Sequence, residues 1–176
     1  MPTLLPRLAP LAAVLLLGCI LAANYVTTEY GMVPVGFGLV ATAGTYFAGL
    51  TFILRDLLQD TAGKWVTVGV ILLGAVVSFA LSAPFIALAS AAAFLLSELA
   101  DLAVYTPLRK RGYLRAAVAS NMVGAFLDTV VFLSIAGFPL WAALPGQMVG
   151  KLLVTAVAVG LVLAVRAGRN AQAVNA

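Results

Sequence analysis

Four polar residues between positions 97 and 128 could take part in chemistry, although the sequence around them is very apolar. Glu98 and Asp101 lie near the end of one apolar run, and Asn121 and Asp128 lie within the next. Carboxylates accept paired N–H groups, and an amide both donates and accepts hydrogen bonds. Because ionisable groups inside a membrane are costly and usually mark a function, these residues are candidates for substrate binding or ion coupling.

The composition indicates that the elements carrying these residues are membrane helices. The chain is 64% hydrophobic and 9% charged, with a mean hydropathy of +1.13, whereas soluble domains carry about 25% charged residues. Each apolar run has about 20 residues, enough for a helix to cross the ~30 Å hydrocarbon core. We therefore predict an all-α integral membrane protein, a six-transmembrane-helix bundle forming a single domain over residues 1–176. The predicted helices cover about 8–28, 36–57, 65–83, 85–105, 115–136 and 142–165.

The positions of the basic residues predict the topology. With the N-terminus in the cytoplasm, the cytoplasmic segments hold nine of the ten basic residues, and the opposite loops hold none. The nine are Arg7, Arg55, Lys64, Arg109, Lys110, Arg111, Arg115, Arg166 and Arg169. This asymmetry places both termini in the cytoplasm. It also explains the net charge of +4 without a nucleic-acid partner, for which no motif is visible.

Depth in the predicted helices suggests an ion pair. Asp128 lies about 12 Å and Lys151 about 14 Å from the outer ends of their helices. We expect these two residues to pair, since an isolated charge in hydrocarbon is far costlier than a paired one. The pair either ties helices together or takes part in coupling. Glu98 and Asn121 lie at similar depths on the cytoplasmic side, and no cation is obvious near Glu98.

Helical spacing predicts that three consecutive helices present polar stripes toward a shared cavity. The stripes are Glu98, Asp101 and Tyr105; Asn121, Gly124 and Asp128; Gln147, Lys151 and Thr155. Contact with headgroups or with the basic loop is an alternative role for Asp101. The Arg55–Asp56 pair is either an interfacial anchor or part of a site. Asn24, near the outer end of the first helix, has either a structural role or a role in a site.

Missing residue types exclude several chemistries. The chain has no histidine and a single cysteine, Cys19, which excludes histidine-based catalysis and common zinc sites. Gly63-Lys64 is followed by Trp65 rather than Ser or Thr, so no P-loop for ATP is present. We therefore predict a protein that is not an enzyme, has no cofactor or metal, and draws any energy from an ion gradient or a partner subunit.

The motif residues resemble one family of small membrane proteins, the vitamin-uptake transporters, also called queuosine-precursor transporters, and within it an actinobacterial-like branch. The strongest part of the resemblance is SELADLAVYTPLRKR (97–111), followed by Ser120, Asn121, Gly124, Asp128 and Phe132. Weaker matches are Asn24, VPVGFGL (33–39), LRDLLQD (54–60) and Lys151. The resemblance implies the six-helix fold of the substrate-binding subunits of vitamin importers, in a multi-pass protein of the bacterial inner membrane.

The resemblance further implies import of a queuosine precursor, such as 7-cyano-7-deazaguanine, 7-aminomethyl-7-deazaguanine or a queuine-like 7-deazapurine. We expect Glu98 to accept the N–H edge of such a heterocycle and Asn121 to contact its carbonyl side. The full set of candidate binding or coupling residues is Glu98, Asn121, Asp128, Lys151, Asp101, Asn24 and Asp56.

Two alternatives to a proton-coupled importer remain open. One is a vitamin-type substrate-binding subunit energised by a partner ATPase, and the other is a non-transporting membrane assembly subunit. Besides the heterocyclic substrate and the lipid bilayer, the expected partners are thus an energising ATPase or further copies of the chain.

Overall fold

The computed structural model describes residues 5–111 and 113–174. Within these ranges, the side chains of residues 5–7, 60, 101–102, 105–106, 109, 113–118 and 158–174 lie outside the described part, and they include those of the candidate Asp101 and its neighbour Tyr105. The elements in chain order are α1 (Leu5–Tyr30), β1 (Met32–Gly36), β2 (Leu39–Thr42), α2 (Thr45–Ala62), α3 (Lys64–Leu81), α4 (Pro84–Leu108), a 3-10 turn (Arg109–Arg111), α5 (Tyr113–Ala136) and α6 (Leu140–Val174).

The predicted all-α membrane fold with six helices is confirmed. Four described segments are long and apolar enough to cross a membrane, and the apolar part of α4 is shorter. The four are Leu8–Tyr30, Lys64–Leu81, Ala119–Ala136 and Leu140–Val157. Trp65 at the start of α3 and Trp141 at the start of α6 are each 83% exposed, as expected of aromatic residues at membrane interfaces.

The start of the second helix differs from the prediction. We expected a helix from residue 36, but residues 32–42 form an antiparallel β-hairpin and α2 begins at Thr45. Gly36 at the end of β1 and the turn residues Phe37 and Gly38 have φ angles of 92°, 53° and 72°. Three successive residues with positive φ cannot continue a right-handed helix. The apolar run therefore turns back on itself, with Phe37 at the tip 91% exposed.

Very close backbone contacts join β2 to α6, and Gly44, which follows the hairpin, to α1. Gly44 N–H donates to Thr27 Oγ1 on α1 at 3.0 Å, and a Cβ atom on Gly44 would overlap the carbonyl oxygen of Ala23. On the other side, a Cβ atom on Gly146 of α6 would overlap the carbonyl oxygen of Val40. The hairpin thus closes one end of the bundle between these two helices.

The helices fall into two groups by their packing. α4 and α5 make their most extensive contacts with each other, whereas α1 packs on α2 and α3, and α6 packs on α2 and on β2. We call α4–α5 the helical hairpin and the remaining elements the main group. Packing at the boundary is partly apolar, since Phe94 of α4 joins a buried cluster of main-group residues, namely Ala12, Leu16, Leu54, Leu58 and Ile71.

Gly146 supplies a test of this packing. The Gly146→Ala substitution should destabilise the protein by about 1–3 kcal/mol, because the added methyl group must displace the backbone of β2. The matched control is Gly69→Ala, also within a helix but with no atom within 4 Å of the added Cβ. This control should be neutral or stabilising by up to about 1 kcal/mol, since alanine favours helix. Thermal unfolding in detergent measures both, and equal melting temperatures would contradict the close contact.

Candidate functional site

A cavity lies between the helices and below the β-hairpin. Its empty volume, counted together with the open space at its mouth, is about 680 Å³. Residues from all six helices and from β2 line it. The polar members of the lining are Asn24, Thr27, Thr42, Thr51, Ser90, Asp128, Gln147 and Lys151.

The predicted ion pair between α5 and α6 forms part of the cavity wall. Lys151 Nζ lies 2.6 Å from Asp128 Oδ2 and also donates to Thr129 Oγ1 at 2.8 Å. Lys151 is only 2% exposed, so its charge depends on these partners. Asp128 is less enclosed, with a side chain 15% exposed, and its second oxygen is available to the cavity.

Two buried amides join the lining to neighbouring elements. Asn24 Nδ2 of α1 donates to Ser78 Oγ of α3 at 2.9 Å. Gln147 Nε2 of α6 donates to Thr42 Oγ1 at the end of the β-hairpin, at 2.7 Å. Both amides are 2% exposed. Each amide therefore donates one N–H to a protein hydroxyl group, and this hydrogen bond holds the side chain in one orientation.

The same hydrogen bonds leave acceptors on the cavity surface. Within the described residues, no protein donor engages Asn24 Oδ1, Gln147 Oε1 or Asp128 Oδ1. No fully buried side-chain oxygen or nitrogen in this part of the chain lacks a partner, so these three oxygens are accessible. The ammonium group of Lys151 has three N–H donors, two of which are used. Besides the hydroxyl groups of its Ser and Thr residues, the cavity thus offers three acceptors and one donor.

Aromatic rings supply flat apolar walls. Phe52 of α2, Phe94 of α4 and Phe132 of α5 line the cavity. Phe132 is also stacked on Phe138, with ring centroids 6.3 Å apart, which restricts its motion. A flat ligand could lie against these rings, since aromatic pairs favour offset-stacked or edge-to-face contact.

Glu98 has a cationic partner, contrary to the expectation that none lies near it. Arg55 Nη1 of α2 donates to Glu98 Oε1, and Nε and Nη2 of the same guanidinium contact Asp56 Oδ1 at 2.9 and 2.7 Å. Arg55 also lies over the ring of Phe52, 5.5 Å from its centroid. The sequence could not show this cluster, because residues 55 and 98 come together only through the packing of α2 and α4.

Three further candidates, Glu98, Asn121 and Asp56, do not line the cavity. Asn121 is exposed, and neither it nor Glu98 belongs to the lining. Asp56 has a side chain 53% exposed. Of the predicted set, the structure brings Asn24, Asp128 and Lys151 together around the cavity. It adds Gln147, which the polar stripe of the sixth helix had indicated.

Comparison with known proteins identifies the family of the chain. A family model described as "Putative vitamin uptake transporter" matches residues 78–165. The chain belongs to this family. The matched segment contains the helical hairpin and the part of α6 that carries Lys151, and hence both ends of the Asp128–Lys151 pair. No curated protein and no solved structure matches the chain.

The ion pair of this transporter-family protein can be tested by stability. The Lys151→Met substitution should cost about 3–5 kcal/mol, because it leaves Asp128 without its buried counter-ion. The charge-reversed double variant, Asp128→Lys with Lys151→Asp, should recover part of the loss of either reversed single variant. Lys110→Met, at an exposed position, is the control and should have little effect. Thermal unfolding measures all of these, and absence of recovery in the double variant would contradict the pairing.

Proposed function

We propose that this protein imports a neutral, planar nitrogen heterocycle of the 7-deazaguanine class and binds it in the cavity below the β-hairpin. Membership in the vitamin uptake transporter family supports transport of a small molecule. The choice of heterocycle is supported by one observation above the others, the surplus of hydrogen-bond acceptors on the cavity surface.

The pattern of acceptors suits the edge of a guanine-like ring. Such an edge presents adjacent N–H donors beside one carbonyl oxygen. In our proposal, Asp128 Oδ1 accepts from the N–H edge, and the third N–H of Lys151 donates to the carbonyl oxygen. Asn24 and Gln147 accept from the remaining ring or exocyclic N–H groups, and Phe52 and Phe94 lie against the ring faces.

The net charge of the cavity wall further restricts the choice of ligand. Among the described lining residues, Lys151 and Asp128 are the charged members, and they neutralise one another. A ligand with a net charge would bring an uncompensated charge into a low-dielectric cavity, which is costly. The proposal therefore favours the neutral 7-cyano-7-deazaguanine over the 7-aminomethyl compound, whose amine is protonated at neutral pH.

Uptake of labelled 7-cyano-7-deazaguanine by cells lacking their own carrier tests the proposal. Asn24→Ala should lower uptake about tenfold at low substrate concentration, because one hydrogen bond to the ligand is worth roughly 1–1.5 kcal/mol. Ser78→Ala is the matched control, since it removes the same protein hydrogen bond but leaves the Asn24 acceptor. Membrane levels of each variant are measured in parallel.

The same assay separates the cavity site from the site predicted on sequence grounds. Our proposal expects Asn121→Ala to keep uptake near that of the unmodified protein. Loss of uptake in Asn121→Ala and Glu98→Gln, with unchanged uptake in Asn24→Ala, would instead favour the original pairing of Glu98 and Asn121 with the substrate. No uptake of any deazapurine by the unmodified protein would contradict the proposed substrate.

We further propose that a proton gradient drives import through Asp128, because this carboxylate faces both the ligand and Lys151. An uncoupler should then abolish accumulation of the label. Accumulation that survives the uncoupler and requires a copurifying ATPase would support the partner-energised alternative.

A further inference from the structure

Two ion pairs join separate helices in the described part of the chain, and both cross the same boundary. The carboxylates, Glu98 and Asp128, belong to the helical hairpin α4–α5, and the cations, Arg55 and Lys151, belong to α2 and α6 of the main group. α4 packs mainly on α5, and α2 packs mainly on α1 and α6. The two bridges therefore reinforce a boundary that is also crossed by contacts of α3 with α4 and of α6 with α5.

The two bridges lie at different levels along the helix bundle. Lys151 and Asp128 belong to its wall. Arg55 follows the lining residue Phe52 by about one helical turn, and Glu98 follows Phe94 by about one turn, so this second bridge lies roughly 5–6 Å beyond the aromatic rings. It is on the side away from the β-hairpin, the side predicted to face the cytoplasm.

We propose that the Arg55–Glu98 bridge is the inner gate of the cavity, and that Arg55 is the residue that holds this gate closed. Arg55 positions Glu98 of the helical hairpin against α2, with the Phe52 and Phe94 side chains above it. Separation of the pair lets α4 move away from α2 and opens the cavity floor. This inference rests on the proposed transport function, since a gate is needed only where a substrate passes.

Asp56 makes such a gate able to open. It is the sequence neighbour of Arg55 on α2 and holds two of the guanidinium nitrogens, so it remains with Arg55 when α4 moves. Arg55, 5% exposed, therefore keeps a counter-ion in the open state. The Asp56 side chain is 53% exposed and that of Glu98 is 16% exposed, which places water close to the bridge. A bridge with a retained counter-ion separates at lower cost than a fully buried pair.

Asn121 lies nearer the cytoplasmic end of α5 than the cavity does. Asn121 and Asp128 lie seven residues apart and therefore on nearly the same face of α5. Asp128 faces the cavity, but Asn121, two turns nearer the cytoplasmic end, is exposed.

Cysteine labelling tests the gate without any substrate. The native cysteine is replaced (Cys19→Ala), and the cavity residue Ser90 is changed to cysteine as the reporter. A membrane-impermeant thiol reagent is then applied separately to each face of sealed vesicles. In this background, Arg55→Gln and Glu98→Gln should each raise the labelling rate at least tenfold, and only from the face that carries the α2–α3 turn.

Three further variants make the result specific. Arg55→Lys should keep labelling slow, and the reversed pair Arg55→Glu with Glu98→Arg should restore slow labelling. Lys64→Gln removes an exposed cation at the start of α3 and should change nothing. Unchanged labelling in both glutamine variants, each shown to be folded by its elution as a single species in detergent, would overturn the gate.

The labelling experiment can contradict the gate, and the uptake experiment can contradict the proposed substrate, independently of one another. Faster labelling in Arg55→Gln without deazapurine uptake by the unmodified protein would retain the gate and reject the proposed substrate. Normal deazapurine uptake combined with unchanged labelling in both glutamine variants would retain the proposed function and reject the gate.

Discussion

The buried ammonium group of Lys151 is the constraint on which much of this structure depends. A cation that is 2% exposed inside an apolar bundle is tolerated only beside a counter-ion and further hydrogen-bond partners. Asp128 and Thr129 supply them from α5, which fixes α5 against α6 at this level. The pair leaves one carboxylate oxygen and one N–H for a ligand, so the interaction that holds the helices also prepares the cavity for polar recognition.

Close contacts at two glycines, Gly146 and Gly44, fix the backbone on the β-hairpin side of the cavity. The main chain of α6 at Gly146 lies directly against the carbonyl group of Val40, and Gly44 lies against Ala23 of α1. These approaches bring Thr42 within hydrogen-bonding distance of Gln147. Polar groups that would be costly in lipid are thereby satisfied inside the bundle, and the amide oxygens that remain unused are the acceptors on which our proposed ligand depends.

In our proposal, the distribution of charge between the two helix groups couples ligand binding to opening of the gate. Carboxylates on α4–α5 face cations on α2 and α6 at two levels, one within the cavity wall and one beyond the aromatic rings. A substrate or proton that alters the Asp128–Lys151 pair would act on the same helical hairpin that the Arg55–Glu98 pair restrains. Transporters need such coupling between the occupied site and access to it, because a ligand shifts a conformational equilibrium only through differential interactions with its two states.

The membrane class, the six helices and the pairing of Asp128 with Lys151 could be predicted from the sequence, because each follows from apolar length, helical depth or the high cost of unpaired charge in lipid. The family resemblance followed from the motif residues. The sequence did not reveal the β-hairpin within an apolar run, since hydrophobicity alone does not distinguish helix from strand and the turn depends on three successive positive φ angles. The partner of Glu98 was also missed. The contact of Arg55 with Glu98 became visible in the tertiary structure, as did the position of Asn24 and Gln147, rather than Asn121, in the cavity wall. Both depend on how helices distant in sequence pack together.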